Sequence, residues 1–279
     1  MERFYFFPVP QPMETVYSVF CRCWTRSGLP RTLLLRALTG QPRCKTLLAD
    51  LPGHLAQIAS AIPLGHPWTE ARTLLTDHTL FPYYTYFSLP DAYLRALNRC
   101  LAETVGHCSE LTLGQTLHRC HSSSRHPRFC PKCASEDAAR VGYSYFRVEH
   151  QLPGVVVCWR HGNLLADGCT ECGRYPLRGR SLGMAGSCHC SHLLTSTPRY
   201  IDAPKSTDSL LWIARESAYM VSAPLLAHRD PLALRRCLIS RGFGRGSLIV
   251  PEDLADAVNR QFGTEVLDFL GYPAKRGSR

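Results

Sequence analysis

Cys130-Pro131-Lys132-Cys133 and Cys158-Trp159-Arg160-His161 are the two segments that decide how the middle of this 279-residue chain folds. Together they offer three thiolates and one imidazole, a donor set that Zn²⁺ binds with tetrahedral geometry. Four protein ligands leave no position for a substrate or a reactive water, which is typical of a structural zinc site. We therefore predict a structural zinc ion held by Cys130, Cys133, Cys158 and His161.

A second set of cysteines follows along the chain. Cys169-Thr170-Glu171-Cys172-Gly173 repeats the C-x-x-C spacing, and Cys188-His189-Cys190 supplies two more thiols. We predict a second structural zinc ion bound by Cys169, Cys172, Cys188 and Cys190. His189 and His192 are alternatives for its fourth ligand.

Other interpretations of these cysteines are buried, packed thiols and redox-active C-x-x-C pairs. No strand-helix context of the thioredoxin kind surrounds either pair, and the chain has no H-E-x-x-H motif, phosphate-binding glycine loop or nucleophile elbow. We predict no catalytic residues, and we assign neither His121 nor His126 as a ligand. The remaining cysteines are interpreted as packed thiols: Cys21, Cys23, Cys44, Cys100, Cys108, Cys120 and Cys237.

The composition, with 45% hydrophobic and 19% charged residues, is that of a globular protein. We predict a mainly α fold with small zinc-stapled modules. Residues 1–128 form a helical domain, compatible with a helix-turn-helix or with a plain helical bundle, and include helices capped by Thr69 and Asp91. Residues 129–200 form a double zinc domain, and residues 201–279 a helical domain. No signal peptide or membrane span is evident, which favours the cytoplasm.

The charge balance favours a polyanionic partner such as DNA. The chain has 32 Lys and Arg against 22 Asp and Glu, and the excess lies mainly in residues 1–129. The alternative is that these cationic side chains simply lie on solvated helix faces. A GC-rich genome would also favour arginine without any binding role. The candidate phosphate contacts are Arg22, Arg26, Arg31, Arg36, Arg43 and Lys45. Residues 231–270, with short helices predicted around residues 241–245, are a candidate DNA-reading module.

Three further stretches form a distinctive set: Phe129-Cys130-Pro131-Lys132-Cys133, residues 143–155 (YSYFRVEHQLPGV), and Cys158 with His161-Gly162. This set resembles the TniQ/TnsD family of transposition proteins. Phe7-Pro8-Val9-Pro10 and residues 78–84 (HTLFPYY) extend the resemblance to the front of the chain, so that it covers at least residues 5–172. In residues 150–155, Pro153 and Gly154 permit a sharp turn, and His150 supports this turn or, less favoured, contacts nucleic acid.

The resemblance implies a non-enzymatic adaptor that selects a target site for DNA transposition. Such an adaptor binds a DNA site directly, or bridges a CRISPR effector carrying guide RNA, and recruits an AAA+ ATPase of the TnsC type and a transposase. Self-association is left open. Direct readers in this family carry a longer carboxy-terminal part, which implies a truncated chain or a short natural member. The alternatives are a zinc-dependent protein-interaction module that does not bind DNA and, remotely, a zinc hydrolase or nuclease.

Overall fold

The structure, a computed structural model, describes residues 4–42, 44, 47, 51–102, 127–169, 172, 185–186, 188, 190, 207–222 and 231–270. Within these ranges the chain is mainly α-helical, and the described sheet has two strands of two residues each. The predicted fold class, mainly helical with cysteine-rich modules that can hold zinc, is confirmed. Of the helices in these ranges, none has the length and apolar character needed to cross a membrane.

The front of the chain is a series of short helices. They are α1 (Val16–Ser27), α2 (Arg31–Thr39), α3 (Leu55–Ala61), α4 (Ala71–Asp77), α5 (Phe81–Tyr84) and α6 (Pro90–Leu101). Thr15 caps α1, because its hydroxyl accepts a hydrogen bond from the Ser18 backbone N–H at 3.1 Å. Residues 103–126, which belong to the predicted helical domain, lie outside the described residues.

Two predicted helix starts are wrong. Helix α6 begins at Pro90 rather than being capped by Asp91, because proline fits the first helical position, and Asp91 lies in the first turn. Helix α4 begins at Ala71, since Thr69 ends a separate 3₁₀ turn (Pro67–Thr69).

The rest of the described chain contains α7 (Pro131–Val141), a 3₁₀ turn (Val148–His150), α8 (Asp208–Ser222), α9 (Pro231–Ser240), β1 (Gly244–Arg245), β2 (Leu248–Ile249), α10 (Pro251–Phe262) and α11 (Thr264–Phe269). The short helices predicted around residues 241–245 are present as α9 and α10, and the stretch between them enters a hairpin that pairs β1 with β2 in antiparallel register. Gly242 and Gly246 have φ of 90° and 60°, a backbone that other residues rarely adopt.

The front helices and the first cysteine-rich segment share a core. The Thr15 N–H donates to Phe146 O at 2.9 Å, and the Val148 N–H donates to Met13 O at 2.7 Å. One cluster of buried apolar residues joins Tyr17 of α1 to Phe146 and Phe129. The predicted boundary after residue 128 therefore separates two segments whose buried side chains pack together.

A second buried cluster joins the first predicted zinc site to the carboxy-terminal helices. It contains Cys130 and Cys158 together with Leu210 of α8 and Val266 of α11. The site is thus held by helices from both ends of the chain.

Candidate metal centres

The first half of the first cluster is built on the start of α7. Cys130 is the residue before the helix and Cys133 lies in its first turn. Pro131 occupies the first helical position, where its fixed φ suits the helix and its missing N–H leaves no hydrogen bond unmade. The C-x-x-C spacing therefore brings both sulfurs to one end of α7.

The second half of the first cluster lies on a tight turn after the buried residues 155–157. The Cys158 N–H donates to Asn163 O at 2.8 Å, and the Gly162 N–H donates back to Cys158 O at 2.8 Å. Gly162 has φ of 69°, the left-handed conformation that lets the chain reverse within this turn. His161 is consequently turned toward the cysteines.

The distances within this cluster fit tetrahedral zinc. The Sγ atoms of Cys133 and Cys158 are 3.7 Å apart. Nδ1 of His161 lies 3.5 Å from Cys130 Sγ, 3.4 Å from Cys133 Sγ and 3.7 Å from Cys158 Sγ. Tetrahedral zinc with Zn–S of about 2.3 Å and Zn–N of about 2.0 Å needs separations of about 3.8 Å and about 3.5 Å. The four predicted ligands therefore fit such an ion.

The pKa values of the neighbouring thiols in this cluster are shifted in opposite directions. Hydrogen bonds from Cys133 and then Cys158 lower the pKa of the Cys130 thiol to about 3. The same contact with Cys130 raises the pKa of Cys133 well above its ordinary value. Three thiolates this close together would repel one another, so their joint use as ligands requires a compensating positive charge such as a divalent metal.

Glu136 supports the imidazole ligand, a role that the sequence analysis missed. Its Oε1 lies 3.0 Å from His161 Nε2, and its Oε2 lies 3.3 Å from Arg160 Nη2. A carboxylate on the outer ring nitrogen fixes the tautomer and leaves Nδ1 facing the sulfurs. The available signal was the spacing on α7, since Glu136 follows Cys133 by three residues and so lies on the same helix face.

Arg128, which precedes the first cysteine pair, is hydrogen-bonded to the segment that precedes Cys158. Its guanidinium is buried and donates to Val155 O at 2.6 Å and to Leu152 O at 2.9 Å. Gln151 also bonds Arg128, donating from Nε2 to its backbone O at 2.7 Å. These bonds hold residues 151–155 in the bend that precedes Cys158.

The bend in residues 150–155 has the form that the sequence indicates. Gly154 has φ of 75°, which permits the sharp turn after Pro153. His150 is only 1% exposed, and its pKa is lowered by burial. A side chain this deeply buried is not available to contact nucleic acid in the folded chain.

The second cluster also brings its four predicted cysteines together. The Sγ atoms of Cys169 and Cys190 are 3.6 Å apart, and those of Cys172 and Cys188 are 3.3 Å apart. All four sulfurs lie within 4.8 Å of one another, so this group can hold a metal ion. The alternative ligands His189 and His192 lie outside the described residues.

The remaining cysteines do not form a third cluster within the described ranges. Cys21, Cys23 and Cys100 are buried in the front core, as packed thiols should be, whereas Cys237 is exposed on α9. Four other residues considered in the sequence analysis lie outside the described residues: Cys108, Cys120, His121 and His126.

The candidate phosphate contacts at the front of the chain differ in accessibility. Arg22 is 3% exposed and bonds Glu14, with Nη2 to Oε2 at 2.6 Å, so its guanidinium is used inside the fold. The guanidinium carbon of Arg26 lies 5.7 Å from the ring centre of Tyr143. Arg31 is half-buried and Arg36 is exposed. Arg43 and Lys45 lie outside the described residues.

Comparison with known proteins identifies relatives. The TniQ family model matches residues 5–165, which include the first cluster and the front helices. The transposon Tn7 transposition protein TnsD of Escherichia coli is 27% identical over 276 residues, covering 95% of this chain and 50% of that protein. The chain therefore spans about half the length of this relative.

Proposed function

This chain belongs to the TniQ family, and on that premise we propose that it selects target sites for DNA transposition without catalysing a reaction. The observation that carries the proposal is the family match over residues 5–165, which contains the cluster of three cysteines and His161 in metal-binding geometry. The similarity to a transposition protein over 95% of the chain supports the same role.

The proposed role of the metal is structural. Cys130, Cys133, Cys158 and His161 would hold one zinc ion, and the four cysteines of the second cluster would hold another. A bound zinc ion would supply a rigid cross-link between segments distant in sequence, a contribution that can exceed the net stability of a small domain. A fourfold protein shell leaves no open coordination position, which supports a non-enzymatic role.

The proposed partners are DNA, an AAA+ ATPase of the TnsC type and, through it, a transposase. The target site is recognised either by direct DNA contact of this chain or by a CRISPR effector with guide RNA. A protein-interaction module that does not bind DNA is the second candidate. It is supported by Trp212 and Tyr219, which are 54% and 60% exposed and lie two turns apart on α8.

Sequencing the DNA fragments that the zinc-loaded protein retains from a random and a genomic pool separates these candidates. We expect one enriched motif at near-physiological salt with excess competitor DNA. If the folded protein retains both metals and enriches no motif, a partner recognises the target sequence.

The adaptor role itself is tested by capture of an AAA+ ATPase of the TnsC type from the same cells. We expect the chain to retain this ATPase and to be required for insertion at the preferred site. The matched variants are Cys130→Ser, which removes a proposed ligand, and Cys237→Ser, which changes an exposed thiol outside both clusters. Normal site preference in the absence of the chain would refute the proposal.

A further inference from the structure

The carboxy-terminal helices carry a strongly asymmetric distribution of charge. Residues 231–250, the hairpin unit, consist of α9 and the β1–β2 hairpin and contain four arginines and no acidic residue, for a net charge of +4. Residues 251–270 contain one arginine and five acidic residues, so that 1 − 5 gives −4. The net charge of residues 231–270 is therefore zero, although the first half of this segment is basic.

The arginines of the hairpin unit are on its surface. Arg235, Arg236, Arg241 and Arg245 are all exposed. Arg235 donates a hydrogen bond from Nη2 to Ser247 O, which places this side chain beside the tip of the hairpin. Arg245 is itself a strand residue next to that tip.

The hairpin is fixed against α9 by close backbone packing. A Cβ atom on Gly244 would lie 2.7 Å from Leu248 O and 2.8 Å from Ile239 Cγ1, so only glycine fits between the two strands and the helix. The Phe243 N–H donates to Leu238 O at 3.0 Å, and the Val250 N–H donates to Phe243 O at 2.9 Å. The arginines are therefore carried on a defined surface.

We propose that the hairpin unit is a surface that binds the phosphates of duplex DNA, through Arg235, Arg241 and Arg245. Arginine forms paired hydrogen bonds with phosphate, and a segment with four exposed arginines and no acidic residue of its own attracts a polyanion. The front surface is the weaker candidate because Arg22 is buried against Glu14 and Arg31 is half-buried. This inference rests on the proposed function, in which the protein contacts target DNA.

The test measures the salt dependence of binding by the full zinc-loaded chain to a fluorescent 30-base-pair duplex. Each phosphate contact that is lost lowers the slope of log K against log salt by about 0.9, so Arg235→Gln, Arg241→Gln and Arg245→Gln together should lower it by about 2.7. That change corresponds to about 100-fold weaker binding at 0.15 M salt. The same three positions changed to lysine should keep most of the slope, because the charges remain.

The matched control is a triple variant at the front, Arg26→Gln, Arg31→Gln and Arg36→Gln, which should leave the slope within about 0.9 of the parent. If the front variant lowers the slope of log K against log salt and the hairpin variant keeps the parent slope, the inference is wrong. Direct DNA binding by the protein would still hold. Equal displacement by polyglutamate and by DNA would assign the surface to an acidic protein instead. A parent protein that binds no duplex would overturn both this inference and direct DNA binding.

Discussion

The contact between Glu136 and His161 predicts a measurable contribution to metal affinity at the first cluster. Changing Glu136 to alanine removes the carboxylate that lies 3.0 Å from the outer nitrogen of the imidazole. Loss of such an outer partner typically weakens metal binding by about 10- to 100-fold. Because the Glu136 side chain is 42% exposed and screened by water, we expect the lower end of this range.

The expected loss is thus about tenfold, or about 1.4 kcal/mol. It can be measured by titrating the zinc-loaded protein with a chromophoric chelator and following the release of each metal ion. The second cluster is an internal control, because its described ligands are four cysteines and should release zinc as in the parent. Glu136→Gln keeps an acceptor oxygen and should lie between the alanine variant and the parent.

Ser135→Ala is the matched control, since Ser135 is the exposed neighbour of Glu136 on α7. It should leave both release phases unchanged. Glu136 does not support the imidazole if Glu136→Ala changes the metal affinity of the first cluster by less than about twofold, or if it weakens metal binding at both clusters equally.

Three further predictions concern stability. Cys130→Ser should unfold the segment around the first cluster, since structural zinc contributes about 10–16 kcal/mol in small zinc domains, whereas Cys237→Ser should keep the parent circular dichroism spectrum. Arg22→Ala should lower the free energy of unfolding by about 3–5 kcal/mol because it leaves the Glu14 carboxylate buried and unpaired, and a denaturant midpoint equal to that of exposed Arg26→Ala would contradict this. Burial lowers the pKa of His78. The neutral form therefore stabilises the fold above a pH of about 6.5, and this stability is lost as the pH falls. His78→Asn should flatten this pH dependence, which unfolding titrations at several pH values would measure.

Much of the candidate site could be predicted because its signals are local. The two C-x-x-C pairs, the C-x-x-H pair and the C-x-C pair each place two ligand atoms within one turn of chain, and few structures other than a metal site require such pairs. Helices at the front of the chain were also predicted from periodicity, with errors at their starts where Pro90 and the 3₁₀ turn before Glu70 changed the first helical residue.

The contacts that the sequence did not predict join residues far apart in the chain. Exposure of the front arginines was also not predicted, because composition favours all of them as phosphate contacts and only the fold separates buried Arg22 from exposed Arg36. The β1–β2 hairpin was missed for a related reason. Strands of two residues carry no periodicity, and their position depends on packing of Gly244 against α9.

The sequence by itself determined the donor sets of both clusters, the helical class and the family resemblance that the TniQ match confirmed. Those properties follow from residue types at short spacings, which act through local geometry. Tertiary structure decided that Glu136 supports His161, that Phe146 packs on Tyr17, and that the accessible basic surface includes the hairpin unit. Burial and pairing of this kind depend on which distant segments share a core, and chain spacing alone does not specify that.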